Sequence, residues 1–206
     1  LSQLDEAHVS LVNVIVGRLA RGWPADRRPV LNAETEKDLE RLLSRTTEGN
    51  RGQLIKLASR WGSVKLMKYA GKVVDELLLK VDDVKLQEEK RLDAARQLIE
   101  FQPDSTAAVE ALLKRVTPQT DPQMSDGLLR VLQLSQAPQI GSQLMTHFPV
   151  LTPAIRSTAI QVLLGRKAST MALLDGAEAG SVQLDELSLD QRRTLAAHPD
   201  AAIRRR

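Results

Sequence analysis

The chain has 206 residues, 42% of them hydrophobic, and sets 29 basic against 26 acidic side chains for a net charge of +3. It has no cysteine, which excludes disulfides, thiol catalysis, cysteine-ligated zinc and covalent c-type haem attachment within this stretch. Aromatic residues make up only 2%, so Leu, Val, Ile and Ala must build the interior, which suits packed helices better than β-sandwiches.

The first apolar periodicity, Leu4, Ala7, Leu11, Val12, Ile15 and Leu19, predicts a long amphipathic helix ended by Gly22-Trp23-Pro24. Ala25 to Leu31 reads as a loop, and Asn32 can cap a helix with Leu39, Leu42 and Leu43 inward. Glu48-Gly49-Asn50 reads as a turn. Leu54, Ile55, Leu57, Ala58 and Trp61 then form a helix closed by Gly62-Ser63, and Val64 to Val81 is the next. From Lys85 the rhythm is regular. Leu86 to Phe101 is stopped by Pro103, and Asp104 can cap Ala107 to Val116. Thr117 to Pro122 is a turn with Asp121 as cap and Pro122 at the first helical position, where the missing N–H costs nothing. Leu128, Leu129, Val131 and Leu132 mark the following helix, and Pro138 opens another through Ile140, Leu144 and Met145. Thr152 caps Pro153 to Leu164, Ser169 to Ala177 is shorter, and Gly180 to Glu186 is a linker. Ser188 and Gln191 have capping-box spacing, with Leu189 and Leu195 inward.

One unit recurs. Thr152-Pro153-Ala154-Ile155-Arg156 is echoed by His198-Pro199-Asp200 followed by Ile203-Arg204. Corresponding helices return about every 30 to 35 residues, shorter than the usual HEAT period. Ile155, Ala159 and Leu163 share a face that Ile160 and Leu164 widen, as a helix pressed between two neighbours requires. The pattern predicts an all-α fold, a right-handed α-solenoid or superhelix of irregular HEAT/armadillo-like helix pairs. A single domain is expected over 1–206, less regular over 1–81, with clearer repeats over 86–206 and the last one truncated.

No catalytic, cofactor-binding or metal-binding residue emerges. His8, His147 and His198 lie far apart without a second ligand at helical spacing; they read as surface or helix-end residues. Asp82-Asp83, Glu88-Glu89 and Asp185-Glu186 are sequence neighbours, whose side chains diverge on a helix. Gly176 and Gly180 read as a helix ending and a linker, not a phosphate cradle. The basic pairs Arg27-Arg28 and Arg192-Arg193 and the closing Arg204-Arg205-Arg206 lack the aromatic interleaving of a single-strand binder. Arg156 and Arg204 are expected to form a ladder between repeats, binding neighbouring helix ends or acids. No apolar run is long enough to cross a bilayer. The chain begins at Leu1 without a signal-peptide pattern and stops early in a helix, so both ends read as cut from something longer.

The ordered series Leu173-Leu174-Asp175-Gly176-Ala177-Glu178-Ala179-Gly180, Asp185-Glu186-Leu187-Ser188, Gln191-Arg192-Arg193 and His198-Pro199-Asp200-Ala201-Ala202-Ile203-Arg204 resembles a known family. So do Ala94-Ala95-Arg96-Gln97-Leu98, Val109-Glu110-Ala111-Leu112-Leu113 and Gly22-Trp23-Pro24. The family is the HEAT-like repeat region of planctomycete- and verrucomicrobial-type exported haem c-binding membrane-bound dehydrogenases. The resemblance is strongest from Leu86 to Arg204. It implies a β-propeller dehydrogenase-like domain before the repeats and a cytochrome c domain with a C-x-x-C-H site after them, in a protein of the periplasm or cell envelope. Haem ligands and catalytic groups would lie in those flanks, so no cofactor falls to these residues. The expectation is a non-catalytic scaffold with protein partners, either its own flanking domains or a redox partner. A nucleic-acid-binding HEAT protein and a docking solenoid unrelated to redox chemistry are the alternatives.

Overall fold

A computed structural model describes residues 9–24, 27–46 and 48–206. They form twelve α-helices and two short 3-10 turns, with no strand among the described residues. The all-α expectation therefore holds. The predicted first-helix positions Leu4 and Ala7, and His8, lie outside the described residues. The chain divides into two compact units, one ending at Leu79 and the other running Lys80–Arg206. The sequence reading has one continuous domain, whose helices change character after residue 81.

In the N-terminal unit, α1 (Val9–Gly22) and α2 (Ala33–Arg45) both pack on α3 (Glu48–Arg60), and α4 (Val64–Asp82) begins after a tight turn. Asn32 caps α2 as predicted, accepting from Glu34 N at 3.0 Å and Thr35 N at 2.8 Å. Thr35 returns the bond to Asn32 N at 2.7 Å, completing a capping box. Val16, Leu39, Leu43, Leu54, Ile55, Leu57 and Ala58 form the interior, whereas Leu11, expected inward, is half-exposed. Glu48-Gly49-Asn50 is the first turn of α3 and not a loop. Glycine there costs about 1 kcal/mol in helix propensity, less than burying one leucine returns at about 1.5–3 kcal/mol, and four buried apolar residues follow. Gly62 ends the helix in the left-handed region at φ 87°. There Ser63 N reaches Ala58 O at 2.9 Å and Gly62 N reaches Ser59 O at 3.0 Å, the two bonds of a Schellman ending.

In the C-terminal unit, eight helices alternate between two rows. They are α5 (Glu88–Phe101), α6 (Thr106–Leu113), α7 (Pro122–Leu132), α8 (Ile140–His147), α9 (Pro153–Leu164), α10 (Lys167–Glu178), α11 (Leu189–Ala196) and α12 (Ala201–Arg204). Helices α5, α7, α9 and α11 pack each on the next, and α6, α8, α10 and α12 do the same. A helix held on several sides needs more than one apolar stripe. Accordingly α7 buries Met124, Leu128, Leu129, Val131 and Leu132, and α9 buries Ile155, Ala159, Ile160, Val162 and Leu163.

Several predicted boundaries shift. Ser105, not Asp104, caps α6, accepting from Ala108 N at 3.2 Å. That helix ends at Leu113, leaving Val116 buried in the turn beyond it. Pro138 lies two residues before α8. Thr152 occupies the cap position of α9, but its hydroxyl makes no capping bond. Gly176 is inside α10, which runs past it to Glu178. The ending falls instead at Gly180, φ 75°, with Ser181 N on Gly176 O at 2.8 Å and Gly180 N on Ala177 O at 3.0 Å. The Ser188–Gln191 capping box forms, yet Leu189 points to solvent at 61% exposure. The inward residue is Gln191, third in its helix, and Met124, Ile155 and Ile203 are buried at the same third position of α7, α9 and α12.

Candidate functional site

The groups most able to do chemistry are dispersed. His147 holds Val116 O through Nε2 at 2.6 Å, a ring on the carbonyl of the turn that follows α6. His198 accepts from Asp200 N through Nδ1 at 3.0 Å, which braces the start of α12. Among the described residues no three His, Asp or Glu side chains gather as a metal site would need, and no helix is long and apolar enough to cross a membrane. Members of the adjacent acid pairs have structural partners. Asp82 takes a two-pronged bond from Arg115, 2.6 Å at each oxygen, and Glu186 takes one from Arg156 at 2.7 Å.

These two pairs belong to a wider set. In the C-terminal unit, polar side chains reach partners about one helix pair away. Gln191 donates to Ser157 O at 3.0 Å, Lys167 meets Asp200 at 2.5 Å, and Arg206 meets Asp175 and Glu178 at 2.7 Å each. Thr158 donates a short hydrogen bond to Asp126, which also accepts from Arg130 at 2.6 Å. Partial burial works to raise the Asp126 pKa, but the bonds from Arg130 and Thr158 outweigh it and hold the carboxyl below its ordinary value. Asp200 is also held low, by the hydrogen bond from Lys167 and then by the Ala202 N–H.

Three arginines at the fourth helical position, Arg156 of α9, Arg192 of α11 and Arg204 of α12, share one geometry. Arg156 Nε donates to Leu151 O at 3.2 Å, Arg192 Nε to Leu187 O at 2.9 Å and Arg204 Nη1 to Pro199 O at 2.8 Å, each five residues back. Each guanidinium thus ties the chain entering a helix to that helix. Only Arg156 of the two arginines expected in the ladder extends to an acid in the next pair, and it also stacks 5.2 Å above the Phe148 ring centroid. Arg204 stays local, on His198 O and Pro199 O. The sequence pattern does not group Arg192 with them, because its helix lacks the Pro and Ile that flag the other two.

Two concavities stand out among the described residues. A recess of about 210 Å³ lies between the Thr117–Pro122 turn and Leu151, Thr152 and Ile155. Two of its polar side chains serve the structure: Asp121 caps α7, and Thr120 donates to Arg115 O at 2.7 Å. The second is an open groove of about 610 Å³ in the N-terminal unit, walled by α2 and α4 with Arg51 of α3. Lys65, Lys68 and Lys72 line it from one face of α4, and Glu40 from α2. Lys65 pairs with Glu40 at 3.0 Å, and the Arg51 Nε is buried without a hydrogen-bond partner. The lysine spacing of three and four residues was legible as a helical stripe, but it sits among apolar residues that drew attention to the core side of α4. Comparison of the chain with protein-family models, curated proteins and solved structures finds no match.

Proposed function

We propose that this chain is a non-catalytic helical-repeat scaffold, a right-handed α-solenoid of HEAT/armadillo-like pairs over its regular part. In this reading it spaces a dehydrogenase-like domain from a cytochrome c domain in a larger exported redox protein of the periplasm or cell envelope. The observation that carries the scaffold reading is the alternating packing of α5 to α12, in which each helix neighbours the one two places on. Stacked pairs of that kind make a quasi-one-dimensional body with a long surface for other proteins. The redox placement rests on the sequence resemblance carried by the series from Leu173 to Arg204.

The test is the sequence of the parent reading frame. A β-propeller segment upstream of Leu1 and a C-x-x-C-H motif downstream of Arg206 are the expected result. A frame that closes with neither overturns the redox placement.

A further inference from the structure

We propose that the groove walled by α2 and α4 docks an acidic peptide segment of a partner protein, one that carries an apolar residue between its carboxylates. The proposal deepens the scaffold reading above and rests on it for the partner being a protein. Lys65, Lys68 and Lys72 follow one another at three and four residues, so their heads line a stretch of about 10 Å along α4 at 1.5 Å per residue. Glu40 neutralises Lys65 at 3.0 Å, and no described acid pairs with Lys68 or Lys72. The Arg51 guanidinium adds a fourth cation to the wall, with its Nε buried and unpartnered. The floor is apolar, with Leu43 at 6% and Leu66 at 1% exposure, and Tyr69 stands at the rim.

The shape and the mixture of groups choose the occupant. A lone phosphate or carboxylate spans too little of the lysine row to engage it. Small-molecule sites enclose most of their ligand, whereas this groove of about 610 Å³ is open to solvent. An extended peptide advances about 3.3 Å per residue with alternate side chains on one side, so a few residues cover the row and one apolar side chain can settle toward the leucines. A nucleic acid fits less well. Among the described residues Tyr69 is the single ring lining the groove, and the Glu40 carboxylate faces any phosphate that enters. Complementary charge of this kind sets specificity and association rate more than raw affinity.

The experiment is a fluorescence-anisotropy titration of the full chain with a labelled peptide of sequence Glu-Asp-Leu-Glu-Glu-Leu-Asp-Glu. Its competitors are the same peptide with Leu changed to Ser, pyrophosphate, and a short single-stranded oligonucleotide. Lys68 and Lys72 are both exposed, so the K68E/K72E and K68A/K72A double variants keep the fold, as circular dichroism would check. The expected result is saturable binding of the acidic peptide, weakened about tenfold or more by charge reversal and less by the alanine pair, and weakened again by loss of the leucines. Absence of binding, binding indifferent to both double variants, or an oligonucleotide or pyrophosphate that competes as well as the peptide overturns it. The reading frame and this titration are independent measurements, so the parent assignment and the groove can each fail alone.

Discussion

In the C-terminal unit, side chains at the edge of one helix pair reach partners on the next, while in the N-terminal unit several cations collect around a groove whose described lining includes one carboxylate, Glu40. Both regions draw on the same aliphatic residues for their interiors. They differ in what their polar residues do. Arg115 closes on Asp82, Arg156 on Glu186 and Arg206 on Asp175 and Glu178, so charge in the regular stack is spent on register between pairs. Exposed ion pairs contribute little, typically 0–1 kcal/mol, so their use there is to fix which helix lies beside which, with the apolar contacts supplying stability. Lys68 and Lys72 line the groove without a described acid beside them, which is why the docking proposal turns on them.

The largest test of the regular stack is Leu128→Ala. Leu128 is fully buried in α7, which packs between α5 and α9, and such a truncation costs about 2–5 kcal/mol. In a nearest-neighbour stack the loss should be local. Native-state hydrogen exchange is expected to speed first in α5, α7 and α9 and less in α12. Uniform acceleration from α5 to α12 would mean one cooperative globule and would remove the repeat description.

Next comes Gly141→Ala in α8. A Cβ at this position would meet Ser169 Cα of α10 at 2.6 Å, and the obstacle is backbone, which cannot rotate away. Overpacking of that kind costs about 1–3 kcal/mol, read as a lower urea midpoint. A neutral result would show that α8 and α10 slide freely, unlike helices locked in register.

Much of this architecture was legible from periodicity and punctuation. Asp121-Pro122 and Ser188 through Gln191 announce helix starts with side chains that satisfy otherwise unpaired N–H groups, and both do so. The misreadings have one physical origin: local chemistry was read without the packing that overrides it. Gly49 and Asn50 look like a turn until the buried leucines downstream draw them into α3. Leu189 looks like core until the third helical position, held by Gln191, proves to be the one that points inward. Thr152 has the right residue type for a cap, but its hydroxyl is not directed at the backbone. The groove was missed because three lysines on a helix look like a solvated face until the elements across from them are in place.

The caps give a smaller and sharper contrast. Asp121 accepts from Gln123 N at 2.8 Å and Met124 N at 3.3 Å, so Asp121→Ala should cost about 1 kcal/mol. Thr152→Ala at the equivalent position of α9 should change stability by less than about 0.5 kcal/mol, because no capping bond is lost. Equal losses in paired urea titrations would mean that the threonine hydroxyl reaches the backbone in solution.

The smallest effect lies in acid and bears on the C-terminal unit. Asp126 and Asp200 are held below their ordinary pKa, Asp126 by Arg130 and Thr158 against its partial burial and Asp200 by Lys167 and the Ala202 N–H. A carboxyl depressed in the folded state binds fewer protons than the unfolded chain does. Its stabilisation is therefore complete above the unfolded value near 3.9, and is lost as pH falls through the lower folded value. The C-terminal unit should lose stability below about pH 4, and Asp126→Asn should flatten that acid limb while leaving its slope near neutrality unchanged. An acid limb of undiminished steepness in Asp126→Asn would place the titrating groups elsewhere, and the polar contact between α7 and α9 would then be a consequence of their packing and not a determinant of its register.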